Sequence, residues 1–355
     1  MTFANDQAGA VAMRLEDLEN KQTGILGMTG SGKTNTAYVL IEQALAQGYG
    51  VTTIGLRPVA AFLKSGLDTK TTIITAEMVQ TESNNQETKL ELEPLAAQLA
   101  TQSVESGIPV VFRSLYDDWW YTNFEDRANF LRQYLESLLV ARQRQYAVAA
   151  TSTIAQQEVS PYFIFMDEAD ALLSDATKDE GGFRYSSQSK KRLKETLLQI
   201  SEQGRQVGVT LIYLCQSPVN LEINLLTTTA NFIFHRLTHS QIGEMLPPHC
   251  INTATEQQLF FDNLWRESAF SSLTGEQIAP FALLNQADIW DELSRFQRGQ
   301  AIHISTGQLG KYFEVGLSQT ITHFSNFQGM GHSPEGSLEQ WLSTARKFGP
   351  TGNTE

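Results

Sequence analysis

Short runs of apolar residues recur along the chain, separated by longer stretches in which apolar positions return every three or four residues. The first pattern predicts strands and the second amphipathic helices. The strand runs are Thr23–Leu26, Val51–Leu56, Thr72–Ile74, Pro109–Phe112, Tyr162–Met166, Val209–Cys215 and Asn231–Arg236. Helices are predicted over Thr34–Gln47, Asn123–Gln145 and Lys191–Gln206. The second carries an apolar stripe at Phe130, Leu131, Tyr134, Leu138 and Leu139, and the third aligns Leu193, Leu197, Leu198 and Ile200 on one face. Strands alternating with helices predict an α/β fold with a mostly parallel central sheet flanked by helices.

Three stretches interrupt the alternation. Thr81–Glu93 is polar and reads as exposed, Ser174–Ser189 is rich in Gly, Ser and Asp and reads as a mobile loop, and Gly331–Glu355 reads as a tail around one helix at Leu338–Lys347. Between Pro247 and Gln297 the periodicity is helical, which predicts a helical insertion at about 240–297. No internal repeat is visible.

Composition narrows the class. Of 355 residues 41% are apolar and 18% charged, the balance of a soluble globular protein. No apolar run approaches the ~18 residues of a membrane-spanning helix. The N-terminus lacks a basic start followed by an apolar stretch, so no secretory signal is read. Cys215 and Cys250 are too few for a disulfide framework and suit a reducing, cytoplasmic address. The net charge of −13 argues against a surface that coats nucleic acid throughout, while leaving room for a ring with a basic lumen and an acidic exterior.

The chemistry concentrates in two places. Gly27-Met28-Thr29-Gly30-Ser31-Gly32-Lys33-Thr34 matches G-x-x-x-x-G-K-[ST], between a predicted strand and a predicted helix. Its glycines let successive backbone N–H groups turn onto phosphates, and the helix start adds partial positive charge there. Lys33 is expected to reach the β- and γ-phosphates of ATP, and Thr34 to ligate Mg²⁺ through its hydroxyl. Gly27, Thr29, Gly30, Ser31, Gly32, Lys33, Thr34 and Asn35 form the predicted nucleotide cradle. The second place is Asp167-Glu168, delivered at the end of the apolar run Tyr162–Met166. Asp167 is expected in the Mg²⁺ shell and Glu168 as the base that polarises the attacking water. A pair of carboxylates that merely complements a helix dipole is the plainer reading, and an intact phosphate loop upstream weighs against it. The letters Asp167-Glu168-Ala169-Asp170 spell a DEAD box, but too little chain follows Cys215 for the second RecA-like domain of such a helicase.

Gln216 follows the apolar run Val209–Cys215 and is a candidate sensor of the γ-phosphate. Arg205 and Arg236 are candidates for stabilising transition-state charge from a neighbouring subunit, against the plainer reading of surface ion pairs.

With the motifs in this order, the chain resembles the HerA–FtsK superfamily of DNA-translocating ATPases, HerA-like proteins most closely. The segments that carry the resemblance are Gly27–Thr36, Phe163–Glu168, Glu202–Pro218 and Leu221–Leu237, with a weaker echo at Arg298–Ile304. The resemblance implies a RecA-like P-loop NTPase core at about 21–325, a 1–20 extension, a 326–355 tail, a hexameric ring and an ATP site at each subunit junction. It also implies Gln216 as sensor and an arginine acting in trans, Arg236 before Arg205. Two features depart from the family: the short segment before the first strand leaves no N-terminal β-barrel of the full-length HerA type, and Gly55-Leu56-Arg57-Pro58 stands where many relatives carry an acid.

Lys190, Lys191, Arg192 and Lys194 form the densest basic cluster, a candidate for duplex backbone contact or else a solvated helix face. Trp119, Trp120 and Tyr121 read as packing aromatics rather than base-stacking ones. His235, His239, His249 and Cys250 lack the spacing of a zinc site. The leading expectation is an ATP-driven motor that translocates or pumps double-stranded DNA as a homo-oligomer, without membrane attachment. The alternatives are a secretion or conjugation ATPase, or a nucleotide-switched module that recruits a nuclease or defence effector.

Overall fold

A computed structural model of the chain describes residues 15–56, 72–74, 89–112, 124–151, 159–173, 188–245, 254–267, 293–305 and 311–315. Arg57, Pro58, Trp119, Trp120, Tyr121, His249, Cys250, the 174–187 loop, the tail and most of the 240–297 insertion lie outside the described residues.

The strands are β1 (Gln22–Leu26), β2 (Gly50–Ile54), β3 (Thr72–Ile74), β4 (Val110–Phe112), β5 (Tyr162–Met166), β6 (Val209–Cys215), β7 (Thr229–Phe234), β8 (Gln300–Ser305) and β9 (Lys311–Glu314). The helices are α1 (Lys33–Ala46), α2 (Lys89–Ser106), α3 (Phe124–Thr151), α4 (Ala169–Leu172), α5 (Gln188–Gln203), α6 (Ile223–Thr228), α7 (His239–Met245) and α8 (Glu256–Glu267). They build one sheet in the order β3-β4-β2-β5-β6-β1-β7-β8-β9. The pairings from β3 through β7 are parallel, and β7–β8 and β8–β9 are antiparallel.

Both faces of the sheet are covered, which explains why the central strands read as unbroken apolar runs. Alternate residues such as Ile164, Leu211, Tyr213 and Phe232 pack with α2, α3 and α5. Their neighbours Phe163, Phe165, Ile212 and Ile233 pack against α1 on the other face. Leu15 and Leu18, in a short 3-10 turn, join that second core, so residues 15–18 belong to the fold rather than to a detached extension.

The helix α2 begins inside the segment read from sequence as an exposed polar stretch. Pro94 lies within it, and a proline in a helix removes one donor and disguises the pattern. The buried Ala96, Leu99, Ala100 and Val104 nevertheless keep a helical spacing. A hydroxyl cluster holds the interior of this side: Tyr162 meets Ser103 at 2.6 Å and Thr52 at 2.8 Å, and Tyr134 meets Thr52 at 2.7 Å. Burial pushes both tyrosines up from their ordinary pKa, so they serve as neutral partners.

The arrangement of β1, β6 and β5 assembles the sequence motifs in space. β6 pairs with β1 on one side and with β5 on the other, in register Thr23↔Ile212 and Phe163↔Thr210. The phosphate-loop strand and the acidic strand are therefore separated by one strand, whose end carries Gln216. All three end on the same edge, where ligands of parallel sheets bind.

Candidate nucleotide site

The loop between β1 and α1 is held from three sides. Gly27 N–H donates to Cys215 O of β6 at 3.3 Å, Met28 N–H to Arg236 O beyond β7 at 2.8 Å, and Gly299 N–H to Ser31 O at 3.0 Å. Gly32 takes φ +114, and a Cβ there would stand 3.0 Å from the Gly299 nitrogen, so this position tolerates only glycine. The Gly299 turn precedes β8, which gives the faint Arg298–Ile304 echo a physical role as a buttress of the loop.

Lys33 is buried, and its ammonium donates to the carbonyls of Gly27 at 2.6 Å and Met28 at 3.0 Å. Burial pulls its pKa below the ordinary lysine value, with Asp167 foremost among the charges opposing the shift. Thr29 donates its hydroxyl to Gln216 Oε1 at 3.0 Å, joining the loop to the end of β6. Thr34 is half-buried and Asn35 buried at the first turn of α1.

Asp167 is raised to about 6, chiefly by burial, with the Glu168 N–H and the Lys33 charge holding it down. Its Oδ1 accepts the Glu168 N–H at 2.9 Å. Glu168 stands at φ 55 and ψ 41, a left-handed conformation that costs a non-glycine residue about 1–3 kcal/mol and clusters at functional sites. Asp170 Oδ2 accepts the Ser217 N–H at 3.3 Å, tying the acidic strand to the residues after β6. Burial raises Asp170 as well, against backbone N–H groups and Lys33.

The structure thus brings Gly27, Thr29, Gly30, Ser31, Gly32, Lys33, Thr34, Asn35, Asp167, Glu168, Gln216 and the Arg236 backbone to one edge. Arg236 Nε is buried without a hydrogen-bond partner, and its carbonyl serves the phosphate loop of its own chain. Arg205 lies elsewhere. It sits in the 3-10 turn Gly204–Val207 before β6, at the opposite edge, about 20 Å away by the rise of a seven-residue strand. Lys194 pairs with Glu222 at 2.5 Å, while Lys191 and Arg192 are exposed at the start of α5. His235 is engaged with Thr36 rather than with other histidines, and among the described residues no three or more His, Cys, Asp or Glu side chains gather as a metal-holding group.

Sequence reasoning passed over Asp170, Thr36, Gln241 and the contact made by Gly299. Asp170 carried a signal, three residues beyond Asp167. The others depend on which strands are neighbours, and no spacing reports that.

The residues fit a magnesium nucleotide. Ser31 Oγ is buried with no partner, space is open around Gly30 at φ +76, and Lys33 rests on loop carbonyls in place of a stronger anion. The loop amides and Lys33 would hold the phosphates, and Thr34 with Asp167 the cation.

This sheet order, with the loop after β1 and the acids after β5, defines a RecA-like P-loop NTPase fold. Residues 3–54 match the model of the family DUF87, described as Helicase HerA, central domain. Among curated proteins none matches. Solved structures similar to the chain include the genome packaging NTPase B204 of Sulfolobus turreted icosahedral virus 2 in complex with AMPPCP. It shows 10% identity and TM-score 0.41, with 84% of this chain and 99% of that chain covered. VirB4 of Thermoanaerobacter pseudethanolicus shows 11% identity and TM-score 0.45 over 89% and 96%. The pCW3 conjugation coupling protein TcpA, with ATPγS, shows 14% identity and TM-score 0.46 over 91% and 67%. Among the described residues no helix is long and apolar enough to cross a membrane.

Proposed function

We propose that this chain is an ATP-hydrolysing, HerA-like motor that translocates or pumps double-stranded DNA as a homo-oligomeric, hexameric ring in the cytoplasm. The observation that carries the reading is the Thr29–Gln216 hydrogen bond, 3.0 Å, between the phosphate loop and the strand that separates it from the acidic pair. It joins the loop to Gln216, and the Ser217–Asp170 bond draws the acidic segment to the same strand end.

The roles follow from the chain's own groups. Lys33 exchanges the Gly27 and Met28 carbonyls for phosphate oxygens. Asp167, with its pKa at about 6, is ionised at neutral pH and available to a cation. Bound Mg²⁺ supplies a Lewis acid on the phosphate oxygens. Glu168, fixed by its left-handed backbone, takes the proton of the attacking water, and the Gln216 amide orients that water. Arg236, whose carbonyl holds the phosphate loop of its own chain, contributes charge at the transition state. Arg205, at the far edge of its own sheet, is able to serve only a neighbouring site.

DNA as the polymer is supported by the family match over residues 3–54 and by the exposed Lys191 and Arg192. These start the helix that leads from the nucleotide edge back to β6, where phosphate contacts would respond to the nucleotide state. The test is mass in solution with an ATP analogue, with and without duplex DNA, followed by ATPase rates on the same samples. A ring whose hydrolysis rises with DNA supports the proposal. Hydrolysis that depends on a protein partner and ignores DNA would replace it with a secretion or conjugation ATPase, or an effector-recruiting module.

A further inference from the structure

The seven residues after β7 touch the phosphate loop, the first turn of α1 and the backbone of Gln216. His235 N–H donates to Leu26 O at 2.8 Å, extending the β1–β7 pairing to the foot of the phosphate loop. Arg236 O accepts the Met28 N–H at 2.8 Å at the start of the loop. The His235 ring, wholly buried, lies 2.8 Å through Nε2 from Thr36 Oγ1 in the first turn of α1. Thr36 in turn donates to Gly32 O at 3.3 Å. A Cβ on Gly27 would stand 2.8 Å from His235 Cβ, and one on Gly32 would stand 3.6 Å from His235 Cε1. The ring therefore fills the space beneath the loop between its first and last glycine. Further along, Gln241 Nε2 donates to Gln216 O at 2.8 Å, and Gln241 Oε1 accepts the Thr238 N–H at 2.9 Å.

We propose that His235–Gln241 is a bracket that positions both halves of the nucleotide site, His235 acting on the phosphate loop and Gln241 on the sensor. A glycine-rich loop gains affinity only if its amides are already aimed when the anion arrives, because ordering glycines on binding is costly. His235 supplies a flat, rigid support and a hydrogen bond to α1, so loop and helix move as one body. The ring has to be neutral, since a cation beneath Lys33 would repel it. Burial, with the Lys33 charge acting the same way, lowers the imidazole to about 3, against a weaker pull from the Gln300 backbone. Gln241 fixes the backbone of Gln216 while Thr29 holds its side chain, which aims the sensor amide. His235 and Gln241 are positioning residues, the one for ground-state binding and the other for turnover.

The inference rests on the P-loop reading, and its test separates the two. Dissociation constants for Mg·ATPγS, steady-state ATPase constants and nucleotide-free melting curves are measured on the full chain and on His235→Phe, His235→Gln, Thr36→Val and Gln241→Ala. Loss of the His235–Thr36 hydrogen bond predicts binding weakened about three- to tenfold in His235→Phe, and at least as much in Thr36→Val, which also loses the bond to Gly32 O. His235→Gln, which keeps a donor, stays within about twofold. Gln241→Ala binds like wild type and loses kcat. Should His235→Phe fail to fold, Thr36→Val, which removes the same bond from the other side, decides. Wild-type binding by folded Thr36→Val, no rescue by His235→Gln, or an unchanged kcat in Gln241→Ala overturns the bracket while leaving the P-loop reading intact. A wild-type protein that binds no nucleotide overturns both.

Discussion

Asp167 is the place where the site works against the fold. Burial raises its pKa from 3.8 to about 6, so at neutral pH the ligand-free protein holds an anion where its surroundings favour the neutral acid. A rise of that size corresponds to about 3 kcal/mol. The sign is fixed by linkage: the group's contribution to stability is complete below pH of about 4 and is lost as pH rises through about 6. Asp167→Asn removes the charge and keeps an oxygen to accept the Glu168 N–H. The variant is expected to match wild type near pH 4 and to exceed it by up to about 3 kcal/mol at pH 7.5. At about 2 °C per kcal/mol for a chain of this length, that is roughly 6 °C in Tm. Thermal unfolding without nucleotide at both pH values measures it. Mg·ATPγS is then expected to raise the wild-type Tm and close the gap, because only the carboxylate gains from a cation. Equal or lower stability of Asp167→Asn at pH 7.5, or a gap independent of pH, would refute the reasoning.

Lys33→Ala removes the one cation of the loop and is expected to abolish binding of Mg·ATP, measured by equilibrium dialysis; retained tight binding contradicts the loop assignment. Glu168→Gln is expected to bind ATP and stall, with phosphate release down about 100-fold or more, so unchanged turnover removes Glu168 as the base. Arg236→Ala subunits mixed with Glu168→Gln subunits are expected to recover part of the activity if the arginine serves a neighbour; no recovery at any ratio leaves Arg236 to its own site. Gly50→Ala drives a Cβ into Cδ2 of the buried Tyr162 ring. It is expected to lower stability by about 1–3 kcal/mol in urea titration, with nucleotide affinity unchanged, and wild-type stability would mean the hydroxyl cluster yields freely.

Much of the fold, and the residues gathered at the candidate nucleotide site, are legible in the amino-acid sequence. Tyr162–Met166 and Val209–Cys215 are strands with the limits read from sequence, because a strand buried on both faces writes itself as an unbroken apolar run. The phosphate loop carries its own spacing, and the ends of apolar runs locate Asp167, Glu168 and Gln216. Strand order is not legible in the runs themselves, and it decides much of the rest. Arg236 stands beside its own phosphate loop because β7 pairs with β1. Arg205 could have been placed by direction alone, since it precedes its strand while the loop follows one. Pro94 hides α2, and the left-handed backbone of Glu168 has no signature in composition. In the sequence His235 is a stray histidine in an apolar run; the sheet register is what puts Thr36 against it.

The most direct measurement is phosphate release by the purified protein with Mg·ATP, assayed alone, with duplex DNA and in each oligomeric state it adopts, alongside nucleotide retention on the same samples. The account predicts that wild type retains nucleotide and releases phosphate, and that Lys33→Ala does neither. Wild-type protein that neither retains nucleotide nor releases phosphate under any oligomeric or partner-bound condition would contradict it.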